Sequence, residues 1–270
     1  MSGKGKAPIK SRFWCNGAEV DQPTFVVSAT SPAFTVGYSA FETMRSYGGR
    51  VFRLNAHLAR LDASLQQMGV ATSVSSDLLT LVQQVASEGP ADLRLRLTYT
   101  AEGASLLEVG EIDPGKPGRA VTTVTRSWQP PSWLNGEVKH GSRAFGEVVM
   151  RQAAVDEVLW RGADGCFTEG ARSNIFAVIG QRVVTPALDG RILAGVTRGA
   201  LIDAAREAEL EIVESSVHPA MSIDELYVSS TLKELAPVVR IDDRDAPGAG
   251  PVGQRLYAAF RALVARECGL

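Results

Sequence analysis

A chain of 270 residues exceeds the length at which one hydrophobic core grows comfortably, which favours two modest domains over one. Its composition, 45% hydrophobic and 21% charged, is that of an ordinary globular protein and excludes a disordered or collagenous chain. A formal net charge of -2 leaves no overall positive field, so neither nucleic acid nor an anionic membrane is an expected partner.

Cys15, Cys166 and Cys268 are odd in number and far apart, without the paired Cys/His spacing of a zinc site. No metal is expected, and a reducing compartment fits best. The first residues are basic, but no apolar segment of a signal peptide follows them, and no apolar run reaches membrane-spanning length. A cytoplasmic protein is expected, with residues 1–11, including Lys4, Lys6 and Lys10, as a mobile tail.

Phe41 to Tyr47 and Arg50 to Leu54 are strand-like runs around Gly48-Gly49, the turn chemistry of a hairpin. A helix follows, with Asn55 as its expected cap and Leu54, Leu58, Leu61, Leu65 and Met68 at three- and four-residue steps. A second amphipathic helix near Asp77 to Ser87 precedes Leu93 to Leu97, whose strict alternation marks a half-buried strand, and Val121 to Thr125 is another strand. These elements make the first half, 1–126, a smaller α+β domain.

Paired prolines in Ser-Trp-Gln-Pro-Pro-Ser-Trp-Leu-Asn-Gly forbid regular structure and make 127–136 the expected interdomain connector. Beyond it, 137–270 reads as a larger, β-rich domain. Helices are expected at Ala144 to Ala154, Thr197 to Ala208 and Gln254 to Arg266, between strands at Asp156 to Trp160, Ser173 to Ile179, Glu211 to Ser215, Glu225 to Ser229 and Val238 to Asp242.

Lysine is scarce: Lys4, Lys6, Lys10, Lys116, Lys139 and Lys233 are all of them, and arginine carries the rest of the positive charge. A lysine within the ordered body is therefore conspicuous, because burial lowers its pKa readily and a neutral amine forms a Schiff base. Lys139 stands at the mouth between the two halves, either as such a nucleophile or as a snorkelling interface residue. Glu169 lies near the start of Thr-Glu-Gly-Ala-Arg-Ser-Asn-Ile-Phe, residues 168–176, in which Ser173 and Asn174 can satisfy a turn before a strand and Glu169 can simply be solvated.

Leu-Ala-Gly-Val-Thr-Arg, residues 193–198, runs through a glycine into a helix, so its first-turn N–H groups and the Thr197 hydroxyl suit a phosphate or a simple cap. Ser229-Ser230-Thr231 is a second hydroxyl cluster at a strand end. Arg60 lies at the edge of an apolar helix face, where it wants an anion: a carboxylate such as Asp62 or Glu42, or a ligand phosphate.

Taken in order, these segments resemble the class IV aminotransferases, fold-type IV enzymes that use pyridoxal 5'-phosphate. The resemblance runs from Phe13-Trp14-Cys15-Asn16-Gly17 through Phe41-Glu42-Thr43-Met44-Arg45, His57-Leu58-Ala59-Arg60-Leu61 and Val138-Lys139. It continues with Glu169, Ser173-Asn174-Ile175-Phe176, Ile192 to Arg198, and Thr231 with Glu234 and Pro237-Val238.

It implies Lys139 as the Schiff-base lysine and Glu169 beside the pyridine nitrogen. Arg60, Val196, Thr197 and Thr231 would hold the phosphate, with Ser173 and Asn174 nearby. It further implies a homodimer and transfer of an amino group between an amino acid or primary amine and a 2-oxo acid. Thr100-Ala101-Glu102-Gly103 lacks the carboxylate-trapping arginine of typical D-amino acid transaminases. Tyr38, Arg94, Arg96, Arg143 and Leu232 are the candidates for substrate contact. Lys139-His140 with Arg143 is similar to aminodeoxychorismate lyase, whose elimination of pyruvate is the alternative expectation. A non-catalytic cofactor-binding protein is a third.

Overall fold

Alternating apolar residues in the first half of the chain build an antiparallel sheet. The structure, a computed structural model, describes residues 11–20, 28–88, 92–112 and 117–270. The turn around Lys116 and residues 1–10 of the expected tail lie outside them.

β1 (Arg12–Cys15) and β2 (Ala18–Val20) form a hairpin, and a short helical turn, α1 (Pro32–Thr35), precedes β3 (Ser39–Tyr47) and β4 (Arg50–Val51). Gly48 and Gly49 join these last two strands with φ of 54° and 82°, conformations that a side chain disfavours. After α2 (Leu54–Gln67) and α3 (Ser76–Ser87) come β5 (Leu93–Thr100) and β6 (Ser105–Glu111), giving a six-stranded sheet of order β2-β1-β6-β5-β3-β4.

The expected apolar face of α2 is buried against this sheet, with Leu61 and Leu65 packed in one cluster with Leu95 and Leu97 of β5. Each such leucine contributes about 1.5–3 kcal/mol by leaving water. Asn55, expected as the cap, sits inside the first turn instead. The cap position is Arg53, in the left-handed region at φ 50°, with no side-chain cap hydrogen bond; its guanidinium pairs with Asp203 and Glu267.

The second sheet has nine strands. β7 (Val121–Ser127), α4 (Ala144–Ala153), β8 (Glu157–Arg161), β9 (Phe167–Gly170), β10 (Asn174–Ile179) and β11 (Arg182–Thr185) are followed by α5 (Val196–Glu207). Then come β12 (Ile212–Glu214), β13 (Glu225–Ser230), β14 (Glu234–Ile241), β15 (Arg244–Asp245) and α6 (Pro251–Cys268). The strand order is β12-β11-β10-β13-β14-β7-β8-β9, with β15 paired to β14.

β7, read from sequence as part of the first half, belongs to this second sheet, parallel to both β14 and β8. The reason is edge occupancy: β6 is already flanked by β5 and β1, so the next strand has no free edge beside it. The Pro-rich connector and α4 then form the crossover that a parallel β7/β8 pair requires.

α5 and α6 cover one face of this sheet through Leu201, Leu256, Phe260 and Phe176. Among the described residues no helix is long and apolar enough to cross a membrane. The two sheets meet where the connector ends. Phe41 donates its N–H to the Lys139 carbonyl at 3.1 Å, and Ala40 and His140 form an isolated bridge. The start of β3 thereby fixes the backbone on which Lys139 stands.

Candidate active site

Lys139 is held from two directions. Its backbone N–H donates to Ser64 Oγ on α2 at 3.1 Å, and its carbonyl accepts from β3. Its side chain points into a cavity of about 740 Å³ whose wall includes Phe41, Arg60, Arg96, Arg143, Glu169 and Thr197. Nζ lies 5.0 Å from the centre of the Phe41 ring. Burial, with Arg60 and Arg143 nearby, pushes its pKa down to about 7, so a large share of the amine is neutral near neutral pH.

Glu169, in β9, is buried and lines the same cavity, and its Oε2 accepts the N–H of Leu193 at 2.9 Å. Burial pushes its carboxyl up to about 7, against the opposing effects of Arg143 and the Leu193 N–H. The segment Leu193-Ala194-Gly195 is fixed twice more. Asn174 donates from Nδ2 to the Leu193 carbonyl, and Arg60 donates from Nη1 to the Ala194 carbonyl, both at 2.8 Å.

That segment leads into α5, whose cap residue, Gly195, offers no side chain, so the N–H groups of Val196 and Thr197 open toward the cavity wall they form. A Cβ on Gly195 would stand 2.0 Å from Asn174 Oδ1, which explains the glycine. Ser229, Ser230 and Thr231 face the same cavity, and the buried Ser229 Oγ has no hydrogen-bond partner. An orphaned hydroxyl, an uncapped helix start and a guanidinium are together a set of donors with the chemistry that suits an anion.

Arg60 meets its carboxylate as well as the cavity. Glu42, fully buried, takes Arg60 Nε on one oxygen and Nη2 on the other, and His57 Nδ1 lies 2.8 Å from it. Burial alone would raise the Glu42 carboxyl, but the Arg60 guanidinium and the His57 hydrogen bond hold it well below the usual carboxylate range. Burial also lowers the His57 pKa, so a neutral His57 donates from Nδ1 to the carboxylate.

The cavity brings together most residues that the sequence singled out: Arg60, Arg94, Arg96, Lys139, Arg143, Glu169, Ser173, Asn174, Val196, Thr197, Thr231 and Leu232 all line it. Tyr38 is not among the lining residues. Gly37, at φ 67°, turns the chain there, and the Tyr38 hydroxyl donates to the Met68 carbonyl. Arg94 lines the wall but is already ion-paired with Glu108. Ser173 donates its hydroxyl to Glu157 at 2.8 Å.

Glu157, to which the sequence reading gave no role, does not line the cavity but holds residues that do. Fully buried, it also accepts from Lys233 Nζ at 3.0 Å and from the Arg172 N–H at 3.2 Å, bracing the turn between β9 and β10. The available signal was an acid inside the apolar run Glu-Val-Leu-Trp.

The family model described as amino-transferase class IV matches residues 39–241. The chain belongs to this family. A class IV aminotransferase, it is 28% identical to a Methanocaldococcus jannaschii protein provisionally described as a branched-chain-amino-acid aminotransferase, over 93% of this chain and 96% of that one. It is also 24% identical to the aminodeoxychorismate lyase of Bacillus subtilis, over 86% and 87% of the two chains. Its fold is that of a hypothetical aminotransferase from Mycobacterium tuberculosis solved in its PLP-bound form, with a TM-score of 0.85, 22% identity and coverage of 94% and 99%.

Class IV aminotransferases are pyridoxal 5'-phosphate enzymes, and that is the cofactor of this one. The residues fit it: one cleft of ligand size is lined by an amine, a carboxylate, and the hydroxyl and helix-start donors that suit a phosphate.

Proposed function

We propose that this aminotransferase exchanges an amino group between an amino acid and a 2-oxo acid at the cavity around Lys139. The reading is supported above all by the convergence of Lys139, Glu169 and the uncapped start of α5 on one cavity. When bound, pyridoxal 5'-phosphate supplies a carbonyl carbon that takes up the amino group and a ring that stores an electron pair.

Lys139 is the residue that would hold the cofactor covalently, and its lowered pKa suits an amine that must be neutral to attack. Released, the same amine would act as general base toward the proton on the substrate Cα and then as general acid, because it stays within reach in the cavity. Glu169 would hold the proton of the ring nitrogen. Arg60, Val196, Thr197, Ser229 and Thr231 would take the phosphate, with Glu42 fixing the plane of the Arg60 fork. Asn174 and Ser173 act one step back, bracing the Leu193 segment and Glu157.

A homodimer in a reducing cytoplasm belongs to the same proposal. It is supported by family membership and by three unpaired cysteines. The lyase reading is favoured by Arg143 beside Lys139 and by the Bacillus subtilis relative.

A panel of donors including L-leucine, D-alanine and L-glutamate, with cofactor absorbance as the readout, tests the proposal. Conversion of the cofactor to its amine form by at least one donor is expected. No conversion, together with pyruvate release from aminodeoxychorismate, would replace the transaminase by the lyase.

A further inference from the structure

Glu157 and Lys233 meet where no strand ladder joins their elements. β7 lies between β8, which begins with Glu157, and β14, which follows Lys233. Yet Lys233 Nζ stands 3.0 Å from Glu157 Oε2, and that carboxylate is fully buried. Lys233 lines the cavity together with Lys139, and the proposed chemistry gives it no part.

The acceptor capacity of Glu157 is filled. Oε1 takes the N–H groups of Val158 and Arg172 at 3.1 and 3.2 Å, and Oε2 takes the Ser173 hydroxyl at 2.8 Å as well as Lys233 Nζ. The chain directly after Glu169 packs against the same group: a Cβ on Gly170 would stand 3.1 Å from the Glu157 carboxyl carbon. One carboxylate therefore braces two turns that line the cavity, 170–173 and 230–233, the second of which carries Thr231.

The second turn is anchored elsewhere too. Glu234, the next residue, is fully buried at φ 57°, a left-handed conformation that persists in a residue with a side chain only where its surroundings over-determine it. Its carboxylate reaches Arg45 and Tyr47 of β3 and Tyr257 and Arg261 of α6. Within the turn, Ser230 Oγ accepts the Lys233 N–H at 3.2 Å. Two adjacent side chains of one short turn thus end in buried ionic contacts on different elements. A buried ion pair gains little stability over an apolar pair of the same volume, so stability alone does not account for this one. Hydroxyls that must meet a ligand at hydrogen-bond distance do need such support.

We infer that the Glu157–Lys233 pair is a positioning element for the cofactor phosphate, holding the 230–233 turn so that Ser229 and Thr231 keep their place in the wall they share with the start of α5. The inference rests on the proposed phosphate site. Glu157→Gln separates the two turns. The amide oxygen suits the N–H groups of Val158 and Arg172, and the Ser173 hydroxyl can rotate to accept from the amide nitrogen. The Lys233 ammonium has no acceptor to offer that nitrogen, so only the 230–233 turn is released.

Glu157→Gln, Lys233→Met and the double variant test the inference. For each full-length apo protein, equilibrium dialysis gives the apparent Kd of pyridoxal 5'-phosphate and of pyridoxal, which lacks the phosphate. Competition by inorganic phosphate and the melting temperature are measured alongside. The wild type should hold pyridoxal 5'-phosphate at least tenfold more tightly than pyridoxal. That ratio is expected to fall at least fivefold in all three variants, with weaker competition by phosphate and nearly unchanged binding of pyridoxal.

The double variant leaves neither partner of the pair as an unmatched charge. It should melt closer to the wild type than either single variant while its ratio stays low, a result that a merely structural pair would not give, and it decides the matter where a single variant does not fold. An unchanged ratio in the double variant overturns the inference and leaves the phosphate site standing. A wild type that binds pyridoxal as tightly as its phosphate overturns the proposed phosphate site, and this inference with it.

Discussion

Arg60 and Glu42 form a two-point pair, Nε to Oε1 at 2.6 Å and Nη2 to Oε2 at 2.8 Å, while the third nitrogen of Arg60 reaches across to the Ala194 carbonyl. One guanidinium thus ties β3 and α2 of the first sheet to the segment that starts α5. The helix start and Arg60 are the two halves of the proposed phosphate site, so their relative position depends on a buried carboxylate that is not itself among the residues lining the cavity.

Glu42→Gln is therefore expected to act on both stability and cofactor retention. Removing the charge of a fully buried carboxylate leaves Arg60 without its counter-ion, a change that costs about 3–5 kcal/mol in comparable buried pairs. The apo protein should melt lower, and equilibrium dialysis should show the cofactor Kd rising at least tenfold. An unchanged Kd would mean that Arg60 is oriented by something else.

Gly195→Ala tests the cradle itself. The added methyl would lie 2.0 Å from Asn174 Oδ1, so either Asn174 releases the Leu193 carbonyl or the start of α5 moves. A fall of at least tenfold in cofactor affinity is expected, together with weaker competition by inorganic phosphate.

The pH dependence of cofactor uptake follows from Lys139. Because burial and two guanidinium groups lower its pKa to about 7, the attacking neutral amine accumulates as pH rises through about 7 rather than through the ordinary lysine range. Stopped-flow mixing of apo protein with cofactor should show the rate of covalent attachment rising to a plateau above neutrality. Arg143→Gln, which removes one of the repelling charges, should move the midpoint upward. The linkage to stability has a defined sign. The folded amine binds fewer protons than the unfolded one between about pH 7 and the ordinary lysine value of 10.5, so this group's destabilising effect on the apo protein is relieved as pH rises through that window.

Glu234 joins the sheets at a second point. Fully buried, its carboxylate accepts from Arg45, Tyr47, Tyr257 and Arg261, on β3 and α6. Glu234→Ala leaves two guanidinium groups without this counter-charge and should lower stability by about 3–5 kcal/mol. Chemical denaturation with an unchanged slope checks it; a loss under 1 kcal/mol contradicts it.

What could be read from sequence was local. The leucine spacing of α2 and the Gly48-Gly49 hairpin are encoded within a few turns of chain, and both elements form, although the second hairpin strand, expected over Arg50 to Leu54, ends at Val51 because α2 already starts at Leu54. β7 was legible as a strand but not as a member of the second sheet, because its partners β8 and β14 lie far along the chain. The same distance hid the role of Glu157, an acid at the start of a strand whose significance depends on Lys233, 76 residues away. Glu42, only 18 residues from Arg60, was legible as one of two carboxylates that could pair with it, and the fold brings Glu42 to it. Tyr38 could not be placed from sequence either, since the turn at Gly37 decides where its hydroxyl points.

Borohydride reduction of the holoenzyme, followed by peptide mass mapping, tests the central claim most directly, because it fixes the cofactor on whichever amine holds it. The adduct is predicted on Lys139, the lysine whose amine lies over Phe41 in the cavity. Lys139→Ala should still bind the cofactor without a covalent bond but yield no adduct and no turnover. An adduct on Lys233 or Lys116, or normal transamination by Lys139→Ala, would contradict the account.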